Sequence, residues 1–281
     1  GIRGAPRDAL IADLAPAEIR GAAYGLRQSL DTVGAFVGPL LGVGLMIVWA
    51  GDFRRVFWFA LIPAFIAVSL LVFGVQEPGA GSARRKPANP IQWKTLAELS
   101  STYWFVVAAG GVFTLARFSE AFLILRAQQQ GLPDSYAPLV LVVMSLVYAL
   151  TAYPLGKLAD RMSHMPLLGA GLVVLIVADL VLAQAQGLTE VALGVALWGL
   201  HLGMTQGLLA TMVAATAPAH LRGTAFGFFN LASGIAMLVA SVLAGLLWDR
   251  LGPGVTFYAG AIFSTAALLM LALRSRRSAV V

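Results

Sequence analysis

The chain of 281 residues is 59% hydrophobic and only 11% charged, against about 25% charged in soluble domains, so it cannot present a water-soluble globular surface. Its 19 Lys and Arg against 13 Asp and Glu leave a net charge of +6, but the cations are spread over alternate loops, which speaks against a nucleic-acid partner. There is no Cys, which removes disulfides and thiolate metal sites.

The apolar residues fall into separate runs of roughly 20, each long enough to cross about 30 Å of hydrocarbon as a helix. Residues 1–13 read as the inner end of a spanning helix that begins upstream, as in a fragment. Helices are predicted at 20–48 and 54–75. Gly74 to Ser100 then breaks the apolar pattern with Pro, Gly and a basic run, a linker signature, and its end, Trp93 to Ser100, reads as a short interfacial helix. Further spans are predicted at 102–126, 135–157, 166–186, 189–214, 221–247 and 254–273. The expected organisation is a first unit over 1–75, a linker over 76–100 and a second unit over 101–281, all α-helical and multi-pass.

Loop charge sets the orientation, because Lys and Arg are retained on the cytoplasmic side. Eleven cations fall on one side: Arg20, the linker's Arg84, Arg85, Lys86 and Lys94, then Lys157, Arg161, Arg222, Arg274, Arg276 and Arg277. Four fall on the other, Arg54, Arg55, Arg126 and Arg250. The linker and C-terminus are therefore expected in the cytoplasm, in a plasma membrane of the bacterial inner-membrane type. The remaining Arg3, Arg7, Arg27 and Arg117 fall within predicted spans.

An internal repeat ties the two units together. APAEIRGAAYG at Ala15 to Gly25 is matched by APAHLRGTAFG at Ala217 to Gly227, with seven of eleven positions identical. Each copy sits at an inward loop and opens a helix. Two further patterns accompany it. Gly156-Lys-Leu-Ala-Asp160-Arg161 closes the 135–157 span, and Gly25, Gly34, Gly38-Pro39 and Gly42 punctuate the 20–48 helix.

With these features the chain resembles the major facilitator superfamily of secondary transporters, whose two six-helix halves are related by an axis along the membrane normal. The loop motif is similar to that superfamily's G-x-L-A-D-R-x-G-R-R over its first six positions and departs at Ser163, His164 and Met165. The glycine series resembles the helix 5 pattern of its proton-coupled exporters, with Val43 in place of the final Gly. The resemblance implies a helix bundle of two pseudo-symmetric halves, the first truncated, with residues 1–13 as the end of helix 4 and about 100 residues upstream at roughly 20 per span. It implies transport of a small organic solute by alternating access, with H+ as coupling ion, export as the direction, no other cofactor, and a monomer whose partners are the solute and the lipid bilayer. It also implies that the Asp160 and Arg161 loop is a latch facing a neighbouring helix N-terminus, with Arg20 and Arg222 as basic partners. Each of those charges also has an ordinary reading, as a solvated turn or a topology determinant.

Gly34, Gly38 and Gly42 lie at i, i+4 and i+8, a face that allows close helix approach. Pro39 removes an intrahelical bond and clashes with the Ala35 carbonyl, so a kink is expected. The second copy carries Ala236, Ala240, Ser241 and Ala244 there, which keeps the small face and drops the kink.

Ionised groups inside a bilayer cost at least about 2.5 kcal/mol each, so each is a candidate. Arg117 and Glu120 are i and i+3 in one predicted helix, either a self-compensating pair or a cavity site for an anionic group and a coupling proton. The helices that line the superfamily's cavity would here carry Arg7 and Asp8, then Arg117 and Glu120, then His201, Thr205 and Gln206. Arg27 and Asp31 are i and i+4, and their second-copy counterparts are Phe229 and Ser233, so the repeated fold does not require charge there. His201 reads equally as a buried hydrogen-bonding residue or a ligand, with no second His or carboxylate at metal spacing. Asp179 is a lone carboxylate in an apolar helix, expected to hydrogen-bond to a neighbour. No His-rich cluster, paired nucleophile and base, or phosphate loop suggests an enzyme. The alternative to a transporter is a sensor or assembly protein of the same fold.

Overall fold

The computed structural model describes residues 4–49, 52–74, 96, 98–133 and 136–278. The linker charges and most of the expected interfacial helix lie outside the described residues. Along the chain run α1 (Gly4–Leu14), α2 (Arg20–Val48), α3 (Phe53–Gly74), α4 (Ser101–Leu115), α5 (Ala121–Gln129), α6 (Ala137–Ala159), α7 (His164–Gln184), α8 (Leu188–Thr216), α9 (Arg222–Leu251) and α10 (Pro253–Ser278). There is no strand among the described residues. Six of the described helices are long and apolar enough to cross a membrane. The protein is a multi-pass membrane protein, its apolar spans helical as a bilayer requires.

The bundle is organised around α8, the most buried of the six. It packs against α6, α7 and α2, while α10 packs on α7 and α9, α4 on α9 and α10, and α1 on α9. Two cores result. One, at the end of the bundle that holds both repeat loops, gathers Tyr24, Tyr103, Phe113, Leu168, Leu208 and Phe226. The other gathers Phe118, Phe122, Leu182, Trp198 and Phe257. By contrast α3 exposes Phe57, Trp58, Phe65 and Phe73, as a lipid-facing helix does.

The sequence repeat is a structural repeat. Pro16 (φ −53°, ψ 151°) and Pro218 (φ −57°, ψ 146°) share one extended conformation, and each is followed by a single 3-10 turn, Ala17–Ile19 and Ala219–Leu221, before a long helix. Tyr24 and Phe226, at equivalent repeat positions, meet with ring centroids 6.2 Å apart. The two copies therefore approach each other at their helix starts.

The predicted boundaries hold to within a few residues, with one correction. The span expected over 102–126 is two helices, α4 and α5, separated by non-helical residues around Arg117, Phe118 and Ser119. The apolar run is continuous in sequence, but the backbone finds other partners. Ser119 N–H donates to Ser241 Oγ at 3.2 Å, and Phe118 is drawn into an aromatic cluster with Phe122, Trp198 and Phe257 at 5.3 to 5.4 Å.

Among the described residues, a Cβ at Gly34, Gly38 or Gly42 would meet nothing within 4 Å. Close approach is made about two and a half to three and a half turns before Gly34, where a Cβ on Gly21 would stand 2.5 Å from the Gly156 carbonyl oxygen, and one on Gly25 would collide with the Ala152 carbonyl oxygen. α2 is helical through Pro39, whose side chain lies outside the described residues.

Candidate functional site

The α2/α6 crossing builds the first element. Its glycines bring α6 so close that Asp160, the C-cap residue of α6, reaches the first turn of α2. Asp160 Oδ1 accepts from Gly21 N–H at 2.6 Å and Oδ2 accepts from Ala22 N–H at 2.8 Å. A helix N-terminus offers just such unpaired N–H groups, and its dipole favours the carboxylate. Ser29 Oγ adds a bond to the Ala149 carbonyl at 2.8 Å further along the same crossing. Arg20 is not a partner of Asp160: its Nε donates to the Ala15 carbonyl at 3.2 Å, closing its own loop. Arg161 is exposed, and its backbone N–H closes the turn on Leu158.

Arg222, the equivalent of Arg20, behaves differently. It reaches across to α1, donating to the Ala12 carbonyl at 3.2 Å and pairing with Asp13. Asp13 escaped the sequence reading because a carboxylate at a helix end is an ordinary surface feature until its partner is known. The second repeat copy differs in another way: a Cβ on Gly223 or Gly227 would meet nothing within 4 Å.

The second element is a quartet of charges between α1 and α2. Arg27 pairs with Asp8 at 3.1 Å and with Asp31 at 3.4 Å; Arg7 pairs with Asp31 at 3.0 Å and lies 3.6 Å from Asp8. Two cations and two anions thus compensate one another. Arg27 and Asp8 are the more buried members, and Arg7 and Asp31 are about half exposed. The adjacent Tyr24 hydroxyl donates to the Asp8 carbonyl at 2.6 Å. In the second copy Phe229 stands where Arg27 does and fills the space beside Gly110 on α4.

The third element is the break between α4 and α5. Arg117 and Glu120 flank it, so they are not successive residues of one helical face, and no ion pair joins them among the described residues. Arg117 is buried, its guanidinium 5.8 Å from the Phe113 ring, with Nε lacking a hydrogen-bond partner. Glu120 is exposed to a cavity of about 540 Å³ lined by both residues with Ser119, Trp198, Gln206 and Ser241. His201 is fully buried beside this cavity, not within its lining. Its Nδ1 lies 2.8 Å from the Gly171 carbonyl, its ring stacks on Phe113 at 5.1 Å, and Nε2 has no partner.

Tyr148 on α6 is partly buried and packs against the core that holds Phe118, Phe122 and Trp198. A tyrosine in an apolar run carries no sequence signal for such a position. Two other residues depart from expectation. Arg126, assigned to a loop by charge, is buried and donates to the carbonyls of Leu182, Ala183 and Ala185 at 2.9 to 3.1 Å, tying α5 to the end of α7. Asp179, expected to hydrogen-bond to a neighbour, has no partner on either oxygen. Among the described residues no group of three His, Cys, Asp or Glu is disposed to hold a metal ion.

Comparison with known proteins gives one consistent answer. The family model of the Major Facilitator Superfamily matches residues 2–240 and, again, 121–280. An uncharacterized MFS-type transporter of Methanocaldococcus jannaschii is 28% identical over 278 residues, 96% of this chain and 68% of that protein. The inner membrane transport protein YajR of Escherichia coli is 25% identical over 141 residues, 50% of this chain and 31% of that one. In fold, the chain is similar to the transporter FucP in its outward conformation, with a TM-score of 0.69 at 15% identity over 94% of this chain and 72% of that chain.

Proposed function

Because the chain belongs to the Major Facilitator Superfamily, we propose that it is a secondary active transporter of a small organic solute, driven by protons and working as an exporter by alternating access. The observation that carries this reading is the cavity at the α4/α5 break, where Arg117, Glu120 and Gln206 offer a cation, a carboxylate and an amide inside the span of the bundle. Charges at that depth are retained against a cost of several kcal/mol, and a solute path is the usual return on it. Arg117 is assigned the anionic group of the solute and Glu120 the coupling proton. The quartet Arg7, Asp8, Arg27 and Asp31 is assigned to proton handling on the other half, because the second repeat copy folds without it.

Asp160 on the first turn of α2, with Arg222 on the end of α1, supports a latch that holds the two halves together at the repeat-loop end. The surplus of Lys and Arg at that end supports its assignment to the cytoplasm, with the linker and C-terminus, in an inner membrane. On this assignment the conformation described is closed to the cytoplasm. The export direction rests on the glycine and proline series of α2. The halves divide at residues 1–75 and 101–281, and the transporter acts as a monomer.

The test is reconstitution of the full protein in liposomes with a panel of organic anions, cations and zwitterions under an imposed proton gradient. Movement of a panel member that collapses with the gradient, and that Glu120→Gln uncouples, is the expected result. If no panel member moves, a sensor or assembly role replaces this one; if Glu120→Gln leaves driven transport intact, the proton site lies elsewhere.

A further inference from the structure

Asp179 is fully buried in α7, and neither carboxylate oxygen has a hydrogen-bond partner. The surroundings are shaped to hold it. A Cβ on Gly260 of α10 would stand 2.7 Å from Asp179 Oδ2 and 3.1 Å from Phe118 Cε1, so the missing side chain at 260 makes room for the carboxyl. Phe118 also lines the 540 Å³ cavity, so the same ring borders both the space beside Asp179 and the cavity.

The charged and titratable groups around it are few. Among its described side chains α10 offers only Tyr258, which is exposed; Arg274, Arg276 and Arg277 come 14 or more residues after Gly260 on the same helix. α8 offers His201, whose Nε2 is itself unpartnered, and Glu190 in its first turn, which is exposed and bound to the Gln186 N–H. On α7 itself His164 lies at the opposite end, and Arg126 from α5 is committed to the carbonyls beyond Asp179. The break between α4 and α5 offers Glu120 and Arg117, the latter with an unpartnered Nε. An unpaired carboxylate in this setting is far costlier than the neutral acid.

We infer that Asp179 is a second proton-binding site of the transport cycle, loaded in the conformation described and unloaded past Phe118 into the Arg117 and Glu120 cavity. The inference rests on the proton-driven reading above. In the unloading step the Asp179 O–H bond breaks, the proton passes to cavity water, and the carboxylate left behind takes the Arg117 guanidinium as counter-ion. The break is the moving part. Beyond the turn bonds at its two edges, Arg117 N–H to the Thr114 carbonyl at 3.0 Å and Phe122 N–H to the Ser119 carbonyl at 3.1 Å, it is tied to the rest of the bundle by the Ser119 N–H to Ser241 Oγ bond and by the packing of Phe118 on Trp198 and Phe257.

Infrared difference spectroscopy on the full protein in lipid, as the pH is raised from about 5 to about 9, reads this directly. The expected result is loss of a protonated-carboxyl carbonyl band that is missing from Asp179→Asn at every pH, with a matching change in the fluorescence of Trp198 identified by its absence in Trp198→Phe. Gly260→Ala, whose Cβ would press on Oδ2, is expected to shift the same band, and it keeps the test open should Asp179→Asn fold poorly. A spectrum that is identical in wild type and Asp179→Asn overturns the inference. So does an Asp179 band that persists through the whole pH range, which marks a permanently neutral structural acid. The measurement needs no solute, so a wild type that moves nothing under a proton gradient fails the transport reading and leaves this band to be judged separately.

Discussion

Asp160→Asn isolates the proposed latch. In the closed arrangement both carboxylate oxygens accept from the α2 amides, Gly21 at 2.6 Å and Ala22 at 2.8 Å. Asn keeps one acceptor oxygen and turns an NH2 towards the other amide, so one charge-assisted bond is lost and two donors face each other. A hydrogen bond to a charged group contributes about 1.5 to 3 kcal/mol, and Asp160 is partly exposed, which favours the lower half of that range. The change acts on the closed conformer alone, since once the halves separate both the side chain and the amides are hydrated. A loss of about 2 kcal/mol moves the closed-to-open ratio by roughly 30-fold. The chain has no Cys, so Glu18→Cys and Ala219→Cys, exposed in the two repeat loops, can carry a pair of spin labels without background. Double electron–electron resonance should show a longer-distance population in Asp160→Asn that is minor in the parent. An unchanged distance distribution would refute the reasoning, because it would mean that the two amide bonds do not hold the crossing closed.

Three further outcomes are expected. Gly156→Ala drives a Cβ into the Gly21 carbonyl, and should lower the thermal midpoint by the equivalent of about 1 to 3 kcal/mol; an unshifted midpoint would mean that the α2/α6 crossing can widen without cost. Arg126→Leu strips three buried carbonyls of their donor and should destabilise the fold by about 3 kcal/mol in a denaturant titration, with Arg126→Lys intermediate because one ammonium cannot span all three. Arg27→Gln leaves Asp8 without its closest cation and should cost about 3 kcal/mol, while Arg27→Gln with Asp8→Asn recovers at least half of that loss; additive effects in the cycle would show that the two are not coupled.

Much of the fold was legible because a bilayer leaves an apolar run of 20 residues few alternatives to a helix. The repeat was legible because Pro16 and Pro218 fix the same extended backbone before the same turn. At the candidate site, the spacing of Arg27 and Asp31 announced their pairing, and comparison with Phe229 and Ser233 marked them as peculiar to one half. What the sequence concealed was tertiary. The break at Arg117 to Ser119 sits inside an unbroken apolar run, and its cause, the hydroxyl of Ser241 and the rings around Phe118, lies more than 70 residues away in every case but Phe122. Arg126 looked like a loop cation because charge counting ignores carbonyl acceptors. The glycines at 34, 38 and 42 have the spacing of a packing face, but spacing does not say which stretch of a helix a neighbour will touch.

One helix ties the latch to the cavity. Tyr148, packed against the core beside the cavity residues Phe118 and Trp198, and Asp160, on the α2 amides, belong to the same α6, twelve residues and about 18 Å apart at 1.5 Å per residue, with the helix unbroken through Pro154. Two events on one rod share one equilibrium. If a solute beside Tyr148 favours one arrangement of α6 by some factor, then engaging the latch must change that solute's affinity by the same factor, whichever event comes first. A change in the distances between labels at Glu18 and Ala219 on adding solute therefore measures that coupling without touching the cavity.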